Sequence, residues 1–321
     1  MNGVIVVGSY NQDHVWVSDE LPAPGATRSG RYLGGPGGKG FNQAVSSARS
    51  GASTTFLVAL GDDVAAQHAR ALATGLGIDL VDEIHGDIAT GTAGIFVDAR
   101  GRNVIVIAPG ANAALSTAFI DGEAARIRKA AVTLAQLEVD RDAIFRALSI
   151  ARDAGRRTIL NPAPADAPVD ESLLELADLA TPNETEFASL CLHILGEQIR
   201  AEDVASTPSS ELHALCRRLH KGGVVITLGS AGCFVSHADA GSFNDIAASY
   251  RIGAIKASAI DTTGAGDAFN GALAAELARD PTLPLAAAIR YASAYAGVST
   301  ERRGAALAMP TRDEVAARIA S

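Results

Sequence analysis

Short apolar runs rich in β-branched residues alternate along this chain with longer, alanine-rich helical stretches. The runs that predict strands lie at residues 4–8, 54–60, 131–136, 158–161 and 224–228. The stretches that predict helices lie at residues 43–50, 64–74, 141–154, 184–190 and 210–221. Because the apolar character of these runs is continuous rather than alternating, they suit a parallel sheet that is covered on both faces. The alternation therefore predicts a layered α/β fold with a central, mostly parallel sheet.

Two segments break this alternation. Residues 11–35 are rich in proline, glycine and polar residues, and contain only short strand-like pieces at 15–17 and 31–33. Residues 92–97 and 104–108 predict two strands, which a turn with the sequence DARGRN joins into a hairpin. We expect about 11–35 and 91–108 to form a small antiparallel sheet beside the main body. Such a sheet would be a lid over a cleft, a dimer surface, or both.

Composition excludes several classes of protein. The 321 residues suffice for one large α/β domain, and we predict a single domain over 1–321. The net charge of −9 argues against nucleic acid or an anionic membrane as a partner. Three scattered cysteines without a CxxC spacing indicate a reducing compartment. The N-terminal strand lacks the basic start of a signal peptide, so we expect a cytoplasmic protein without a membrane span.

The most informative motif is DTTGAGDAFNG at residues 261–271. Gly264, Ala265 and Gly266 have almost no side chain, so backbone N–H groups there can converge on a small anion. A predicted helix over 268–278 places this turn at a helix N-terminus, which favours negative charge. Asp267 would repel a phosphate, so it needs another role, and proton abstraction from an attacking hydroxyl group is the obvious one. The alternative is that Asp267 only caps the helix.

The glycine cluster GGPGGKG at residues 34–40 contains a G-x-G-x-x-G pattern, but not in a dinucleotide-binding context. The first strand ends at Gly8, before the cluster, and no acidic residue lies near 54–55. A Walker A loop also fails, because Leu33 and Gly40 occupy positions that require glycine and a hydroxyl residue. The cluster instead predicts a backbone that lies close to a polar ligand.

Polar residues surround this cluster in the sequence. Lys39 and Asn42 would lie near the start of the helix that follows it, and Asn11 and Asp13 come just after the first strand. Carboxamide and carboxylate groups suit a polyhydroxyl ligand. Each residue alone would also be an ordinary turn residue or helix cap.

Three later strand ends carry polar motifs, namely NPAP at 161–164, TPNETE at 181–186 and TLGSAG at 227–232. One interpretation is ordinary loop chemistry, with a capping box in the second motif. The other is that Asn183 and Glu186 face the phosphates and Mg²⁺ of a nucleotide. Contacts to the nucleotide itself would then come from Thr227, Gly229 and Ser230. Local sequence does not decide between these two interpretations.

With these motifs in this order, the chain resembles the ribokinase-like carbohydrate kinases of the PfkB family over essentially its whole length. GGKGFN at 37–42 is similar to the N-terminal signature of the family, and residues 261–271 are similar to the C-terminal one. The resemblance implies the ribokinase-like three-layer fold, with helices on both faces of the sheet and a small β-sheet lid. It also implies ATP-dependent phosphorylation of D-ribose at its 5-hydroxyl group.

The resemblance further implies roles for individual residues. The sugar would be held by Asn11, Asp13, Gly38, Lys39, Asn42 and Glu138. Asp267 would take the proton from the sugar hydroxyl, and Gly264, Ala265 and Gly266 would form the anion hole. ATP would be bound by Asn183, Thr227, Gly229, Ser230 and Gly266, with Glu186 serving Mg²⁺. A K⁺ site would be formed by Asp261, Thr263, Thr300, Arg303 and Ala305.

The chain departs from the family pattern at two positions and leaves alternatives open. Ala308 replaces a serine that often lies near the cation, and Ser293 replaces a histidine found near the adenine in some members. Related kinases act on 2-deoxyribose, fructose, keto-deoxy sugar acids or nucleosides. A sugar-binding protein without activity is an alternative from a different class, and an NAD enzyme is more distant. We expect a homodimer formed through the lid.

Overall fold

The computed structural model describes residues 3–239 and 241–320, apart from the side chain of Ser242. The predicted domain bounds 1–321 therefore include four residues that lie outside this description. The strands, in chain order, are β1 (Gly3–Val7), β2 (Asn11–Ser18), β3 (Arg31–Gly37), β4 (Ser53–Gly61), β5 (Asp79–His85), β6 (Thr92–Asp98), β7 (Asn103–Ala108), β8 (Val132–Ala135), β9 (Arg157–Leu160), β10 (Leu179–Ala180), β11 (Gly223–Thr227), β12 (Cys233–Ser236) and β13 (Ser249–Ile252).

The helices, in chain order, are α1 (Lys39–Arg49), α2 (Val64–Gly75), α3 (Thr117–Gly122), α4 (Ala124–Lys129), α5 (Arg141–Asp153), α6 (Glu171–Leu174), α7 (Glu184–Leu190), α8 (Ala201–Val204), α9 (Ser209–Leu219), α10 (Ala265–Arg279), α11 (Leu285–Ser299) and α12 (Arg312–Ala320). Most of the predicted strands and helices form within two residues of their expected ends. The short pieces at 15–17 and 31–33 are parts of the longer strands β2 and β3, and α10 begins at Ala265 rather than at residue 268. Helix α1 begins at Lys39 rather than at residue 43, because Gly38 makes the sharp turn with a φ of 86° and lets the helix start at once.

The large sheet is mostly parallel, as predicted. Its strand order is β13-β12-β11-β10-β9-β8-β1-β4-β5. The strands from β11 to β5 run parallel to one another, and β12 and β13 join the edge in antiparallel pairs. The chain leaves β1 first towards β4 and later returns to β8 on its other side. The crevice at the carboxyl ends of the strands beside such a reversal is where open α/β sheets bind ligands.

Both faces of this sheet are covered by helices. Val4 and Val6 of β1 belong to one apolar core, while Ile5 and Val7 belong to the core on the opposite face. Helices α1, α10 and α11 contribute to the first core, and α5, α7 and α9 contribute to the second. Each fully buried aliphatic side chain of this kind contributes about 1.5–3 kcal/mol by leaving water. The continuous apolar runs of the sequence follow from this two-sided burial.

Helices α1 and α10 pack closely because Gly271 lies between them. A Cβ atom at Gly271 would lie 2.3 Å from the carbonyl oxygen of Gln43 and 2.5 Å from the Cβ of Ser46. Ser46 Oγ also donates a hydrogen bond of 2.6 Å to the carbonyl of Ala268. This close approach brings the first turns of the two helices together.

A separate small sheet stands beside the large one, with the order β3-β2-β6-β7. Its outer pairs are antiparallel, but the central pair of β2 and β6 is parallel. The prediction of a purely antiparallel sheet was therefore wrong at this pair. Between β2 and β6 the chain forms other elements, of which β4 and β5 belong to the large sheet. The two strands are therefore not joined by a hairpin and can run in the same direction. Asn11 and Asp13 lie within β2 rather than in a turn.

None of the helices in the described part of the chain combines the length and the apolar character needed to cross a bilayer.

Candidate active site

Asp267 lies in the first turn of α10, and its carboxylate points towards α1. Its Oδ2 atom accepts a hydrogen bond of 2.9 Å from Asn42 Nδ2, and its Oδ1 atom accepts one of 3.1 Å from Gln43 Nε2. The residue at the N-cap of α10 is Gly264, and no side chain caps this helix. The interpretation of Asp267 as a helix cap is therefore wrong. Its carboxylate is held instead by two amide side chains of a neighbouring helix.

The environment of Asp267 strengthens it as a base. The residue is only 6% exposed, and this burial raises the pKa of its carboxyl group. The positive charge of Lys39 and the hydrogen bonds from Asn42 and Gln43 oppose the rise. A carboxylate with a raised pKa accepts a proton from a hydroxyl group more readily than an ordinary aspartate does.

The turn before α10 depends on Gly264. Its φ is 74°, in the left-handed region, and an added Cβ atom would lie 2.8 Å from the Cβ of Ala305. The turn places the start of a fifteen-residue helix beside a polar cavity. The residues of the turn and of the helix start that line this cavity are Gly264, Ala265, Gly266 and Asp267. Backbone N–H groups and the helix dipole favour an anion at this position.

The residues predicted to hold the sugar gather between β2, the start of α1 and the segment after β8. Glu138 accepts a hydrogen bond of 2.6 Å from Ser9 Oγ and one of 2.9 Å from the backbone N–H of Lys39. Asp13 packs against Gly37, where an added Cβ atom would lie 2.2 Å from Asp13 Oδ2. Burial, assisted by the charge of Glu138, raises the pKa of Asp13 to about 6.

Asn11, the remaining member of this group, is fixed by Asn112. Asn112 Nδ2 donates to Asn11 Oδ1 at 2.9 Å and to the carbonyl of Tyr10 at 2.9 Å, while Asn112 Oδ1 accepts from the N–H of Tyr10 at 3.0 Å. The Asn11 carboxamide is thus oriented with its Nδ2 donor away from Asn112.

Lys39 connects the sugar side of this site with the anion-binding turn. Burial alone would lower the pKa of its ammonium group, but the carboxylates of Asp267, Glu138 and Glu186 outweigh burial and raise it. Lys39 therefore remains positively charged among three carboxylates. Its charge compensates theirs and favours a phosphoryl group that carries further negative charge.

The residues predicted to bind the nucleotide also come together. The polar cavity is lined by Asn183, Glu186 and Thr227 and adjoins an apolar cleft of about 310 Å³. The two spaces share Thr227, Ala265 and Gly266. The cleft is lined mainly by small residues, which include Gly229, Ser230, Ala254, Ser293 and Gly297, and also by Ile255. An apolar slot that opens onto an anion-binding turn suits a flat base attached to phosphates.

Asn183 and Glu186 confirm the first of the two interpretations that the sequence left open, and the second stays a prediction. They form a capping box, in which Asn183 Oδ1 accepts from the N–H of Glu186 and Glu186 Oε2 accepts from the N–H of Asn183, each at 2.8 Å. Burial raises the pKa of Glu186 to about 7, although the N–H of Asn183 and the charge of Lys39 lower it. The same carboxylate lines the polar cavity. Helix capping therefore fixes Glu186 where it lines the polar cavity.

The residues predicted to hold a monovalent cation lie beside the turn at Gly264. The Asp261 carboxylate accepts hydrogen bonds from Thr263 Oγ1 at 2.6 Å and from the N–H of Gly304 at 2.9 Å, and such bonds lower its pKa despite burial. The carbonyl of Thr300 already accepts the N–H groups of Ile260 and Asp261, at 2.7 and 3.0 Å. The Thr300 carbonyl thus has little remaining capacity for a cation, and the role of Asp261 as a cation ligand stays a prediction.

Sequence reasoning missed several residues that orient the site. Gln43 Nε2 donates to both Asp267 and Asn161 Oδ1, the latter at 3.1 Å, and Asn161 Nδ2 donates to the carbonyl of Thr181 at 3.0 Å. The position of Gln43 directly after Asn42 was a usable signal. Asn112 and Ser9 gave no signal, because their contacts depend on segments about 100 residues or more away in the chain.

Comparison with known proteins identifies what the chain is similar to. The sequence pattern of the pfkB family carbohydrate kinases matches residues 1–312. A ribokinase of Haemophilus influenzae is 37% identical over 314 residues, which are 96% of this chain and 95% of that protein. A bifunctional ribokinase/ribose-5-phosphate isomerase A of Fructilactobacillus sanfranciscensis is 36% identical over 98% of this chain, which spans 56% of that longer protein.

Solved structures agree with this similarity. The structure of Arabidopsis thaliana ribokinase complexed with ribose and ATP superimposes with a TM-score of 0.82 at 28% sequence identity. The superposition covers 98% of each chain. The two-sheet architecture described above is thus the fold of that enzyme.

Proposed function

The chain belongs to the PfkB family of carbohydrate kinases, and from that premise we propose that it transfers the γ-phosphoryl group of ATP to the 5-hydroxyl group of D-ribose. The products are D-ribose 5-phosphate and ADP. The observation that carries the proposal is the buried Asp267 carboxylate, which Asn42 and Gln43 hold directly beside the turn at 264–266. Relatives named ribokinase that are 36% and 37% identical over the aligned residues support ribose as the acceptor.

In this mechanism the residues of the chain position the reactants and move one proton. Asp267 accepts the proton of the attacking hydroxyl group, and the amides of Asn42 and Gln43 keep its carboxylate aimed at that oxygen. The N–H groups at the start of α10 and the charge of Lys39 stabilise the transferred phosphoryl group. Mg²⁺, held beside Glu186, would neutralise phosphate charge when it is bound, and a single protein carboxylate is typical of such a site.

The choice of sugar is tested by a kinetic screen. Asn11, Asp13, Lys39 and Glu138 supply polar partners for hydroxyl groups rather than an apolar cage, so we expect D-ribose to give the highest kcat/KM. Coupled ADP release would be measured with 2-deoxyribose, fructose, a keto-deoxy sugar acid and a nucleoside. A preference of about tenfold, or 1.4 kcal/mol, for one of these would assign the chain to another member of the family. An absence of turnover with every sugar would favour the alternative of an inactive sugar-binding protein.

We propose that the small sheet is a lid, formed by about 11–35 and 91–108, and that it pairs with a second copy. The face that carries Asp13 also carries Val15, Leu33, Ile95 and Ile105, because these residues are opposite one another in the strand register. Leu33 and Ile105 remain 45% and 49% exposed. An apolar face of this kind favours a partner surface. A homodimer is expected in light scattering at micromolar protein, and a monomer there would contradict the pairing.

We further propose K⁺ as an activator, held by the Asp261 carboxylate and by carbonyl groups of the loop that contains Arg303 and Ala305. Ala305 packs against Gly264, so a cation that fixes this loop would also help to fix the turn before α10. Rates in KCl are expected to exceed those in NaCl at equal ionic strength. Ala308 is buried at the end of the same loop, and Ala308→Ser should lower the K⁺ concentration that gives half-maximal activation. Equal rates in the two salts would contradict the cation site.

A further inference from the structure

Three arginine side chains line a second cavity, at the opposite end of the large sheet from Asp267. Arg157 begins β9, and the cavity also borders Ala131 before β8 and Asp178 before β10. It therefore lies at the amino ends of these parallel strands, whereas Asn161, at the active site, follows the carboxyl end of β9. The cavity measures about 780 Å³. Its arginines are Arg152, Arg156 and Arg157.

A tight turn at the end of α5 gathers these side chains. Gly155 adopts a φ of 66°, its N–H donates to the carbonyl of Arg152 at 2.9 Å, and the N–H of Arg156 donates to the carbonyl of Ala151 at 2.9 Å. This C-terminal turn reverses the chain, so that the last turn of the helix and the start of β9 face the same space. Three arginines thus line one cavity in a protein whose net charge is −9.

The nearby carboxylates are already engaged. Asp178 Oδ2 accepts from the N–H of Thr158 at 2.8 Å, and Glu175 pairs with Lys221 at 2.8 Å. Within residues 3–239 and 241–320, no ion pair joins Arg152, Arg156 or Arg157 to a carboxylate. The cavity therefore holds an excess of positive charge.

Arg157 is the best placed of the three for a ligand. Its guanidinium lies over the ring of Phe243, with Cζ 5.5 Å from the ring centroid, and it is only partly exposed. Stacking fixes the plane of the guanidinium and leaves its N–H edge available. Burial lowers the pKa of Arg157, and the nearby Asp178 only partly offsets this, which indicates a cation that an anion would stabilise. Attraction to the C-terminal carbonyl groups of α5 explains why an arginine lies at position 152, in the last turn of that helix. It does not explain Arg157, which lies in β9.

We propose that Arg152, Arg156 and Arg157 form a binding site for a phosphate group, separate from the catalytic centre. Guanidinium groups recognise phosphate oxygens through paired N–H donors, and three of them around an open cavity suit a dianion. The ligand is inorganic phosphate or the phosphate group of a small ester, and both present the same oxygens. Arg156 contributes its terminal nitrogens, because its Nε atom donates to the carbonyl of Arg128 at 2.8 Å.

The test is calorimetric titration of the full chain with inorganic phosphate and, separately, with glycerol 3-phosphate, at ionic strength held constant with KCl. The wild type is expected to bind one more phosphate than the double variant Arg152→Gln/Arg157→Gln, or to bind it more than roughly tenfold more tightly. Any phosphate bound at the turn before α10 is common to both proteins and cancels in the comparison. Binding of the free ion, of the ester or of both identifies the source of the phosphate group.

Arg251→Gln is the matched control, because Arg251 also stacks 5.5 Å from a ring centroid, that of Phe234, but does not line this cavity. It should bind phosphate like the wild type. If the double variant does not fold, Arg157→Lys keeps the charge but loses the paired donors, and it should still weaken binding. Equal stoichiometry and affinity in the wild type and in the folded arginine variants would overturn the proposal.

Discussion

Asp267→Asn is expected to lower kcat by about 10²–10⁴-fold, because the variant lacks the carboxylate that accepts the hydroxyl proton. The substitution keeps the size of the side chain, and an Asn Oδ1 can still accept one of the two hydrogen bonds from Asn42 and Gln43. The other donor would face the new NH₂ group and lose its partner. Against that loss, the variant no longer buries a charge whose pKa is raised by burial. We therefore expect a small net change in the melting temperature.

Steady-state kinetics and thermal unfolding together check this expectation. Asp280→Asn serves as the matched control, because Asp280 follows the last residue of the same helix and accepts hydrogen bonds from the nearby Thr282, far from the candidate site. It should retain wild-type turnover. Near-normal turnover in folded Asp267→Asn would mean that another group takes the proton.

Gly264→Ala should lower kcat by about 10²–10³-fold, the range found when an oxyanion-binding donor is lost. An alanine at a φ of 74° costs roughly 1–2 kcal/mol, and its Cβ would lie 2.8 Å from the Cβ of Ala305. The turn must then shift, and the N–H groups at the start of α10 shift with it. Both the melting temperature and kcat should therefore fall.

Gly266→Ala, two residues away, distinguishes two causes of lost activity. One is a displaced turn, and the other is a side chain that obstructs the ligand. A Cβ at Gly266 meets no protein atom within 4 Å, and Gly266 lines both the polar cavity and the apolar cleft. The methyl group would enter the ligand space, so the KM for ATP should rise. The melting temperature should stay the same or increase, because alanine is favoured over glycine in a helix by about 1 kcal/mol. Identical kinetics for Gly264→Ala and the wild type would show that the turn is not part of the anion site.

The sequence predicted the large sheet well because the composition of each strand reflects whether its two faces are covered. A run such as residues 56–60 is apolar at every position only where both faces are covered, so local composition was sufficient. The family and the ATP-dependent kinase class were also predicted, and the comparisons confirm them. The roles of the individual site residues stay predictions, although the structure brings most of them together.

What the sequence could not supply were relations between distant segments. The parallel pairing of β2 with β6 depends on how the chain between them enters the large sheet, and no residue in either strand encodes it. The bond between Asn112 and Asn11 spans 101 positions. The close approach of α1 to α10 rests on Gly271, which in the sequence looks like any other glycine in a helix.

Burial, together with repulsion from neighbouring carboxylates, lets Asp13 and Glu186 of the candidate active site retain protons near neutral pH. With pKa values of about 6 for Asp13 and about 7 for Glu186, the free enzyme holds a fraction of a proton on these groups at neutral pH. Since both values are raised above those of the unfolded chain, this pair stabilises the fold most at low pH, and its contribution is lost as the pH rises through 6 and 7. A cation that approaches Glu186 would expel its proton into the buffer. The heat of nucleotide binding near neutral pH should therefore depend on the ionisation enthalpy of the buffer.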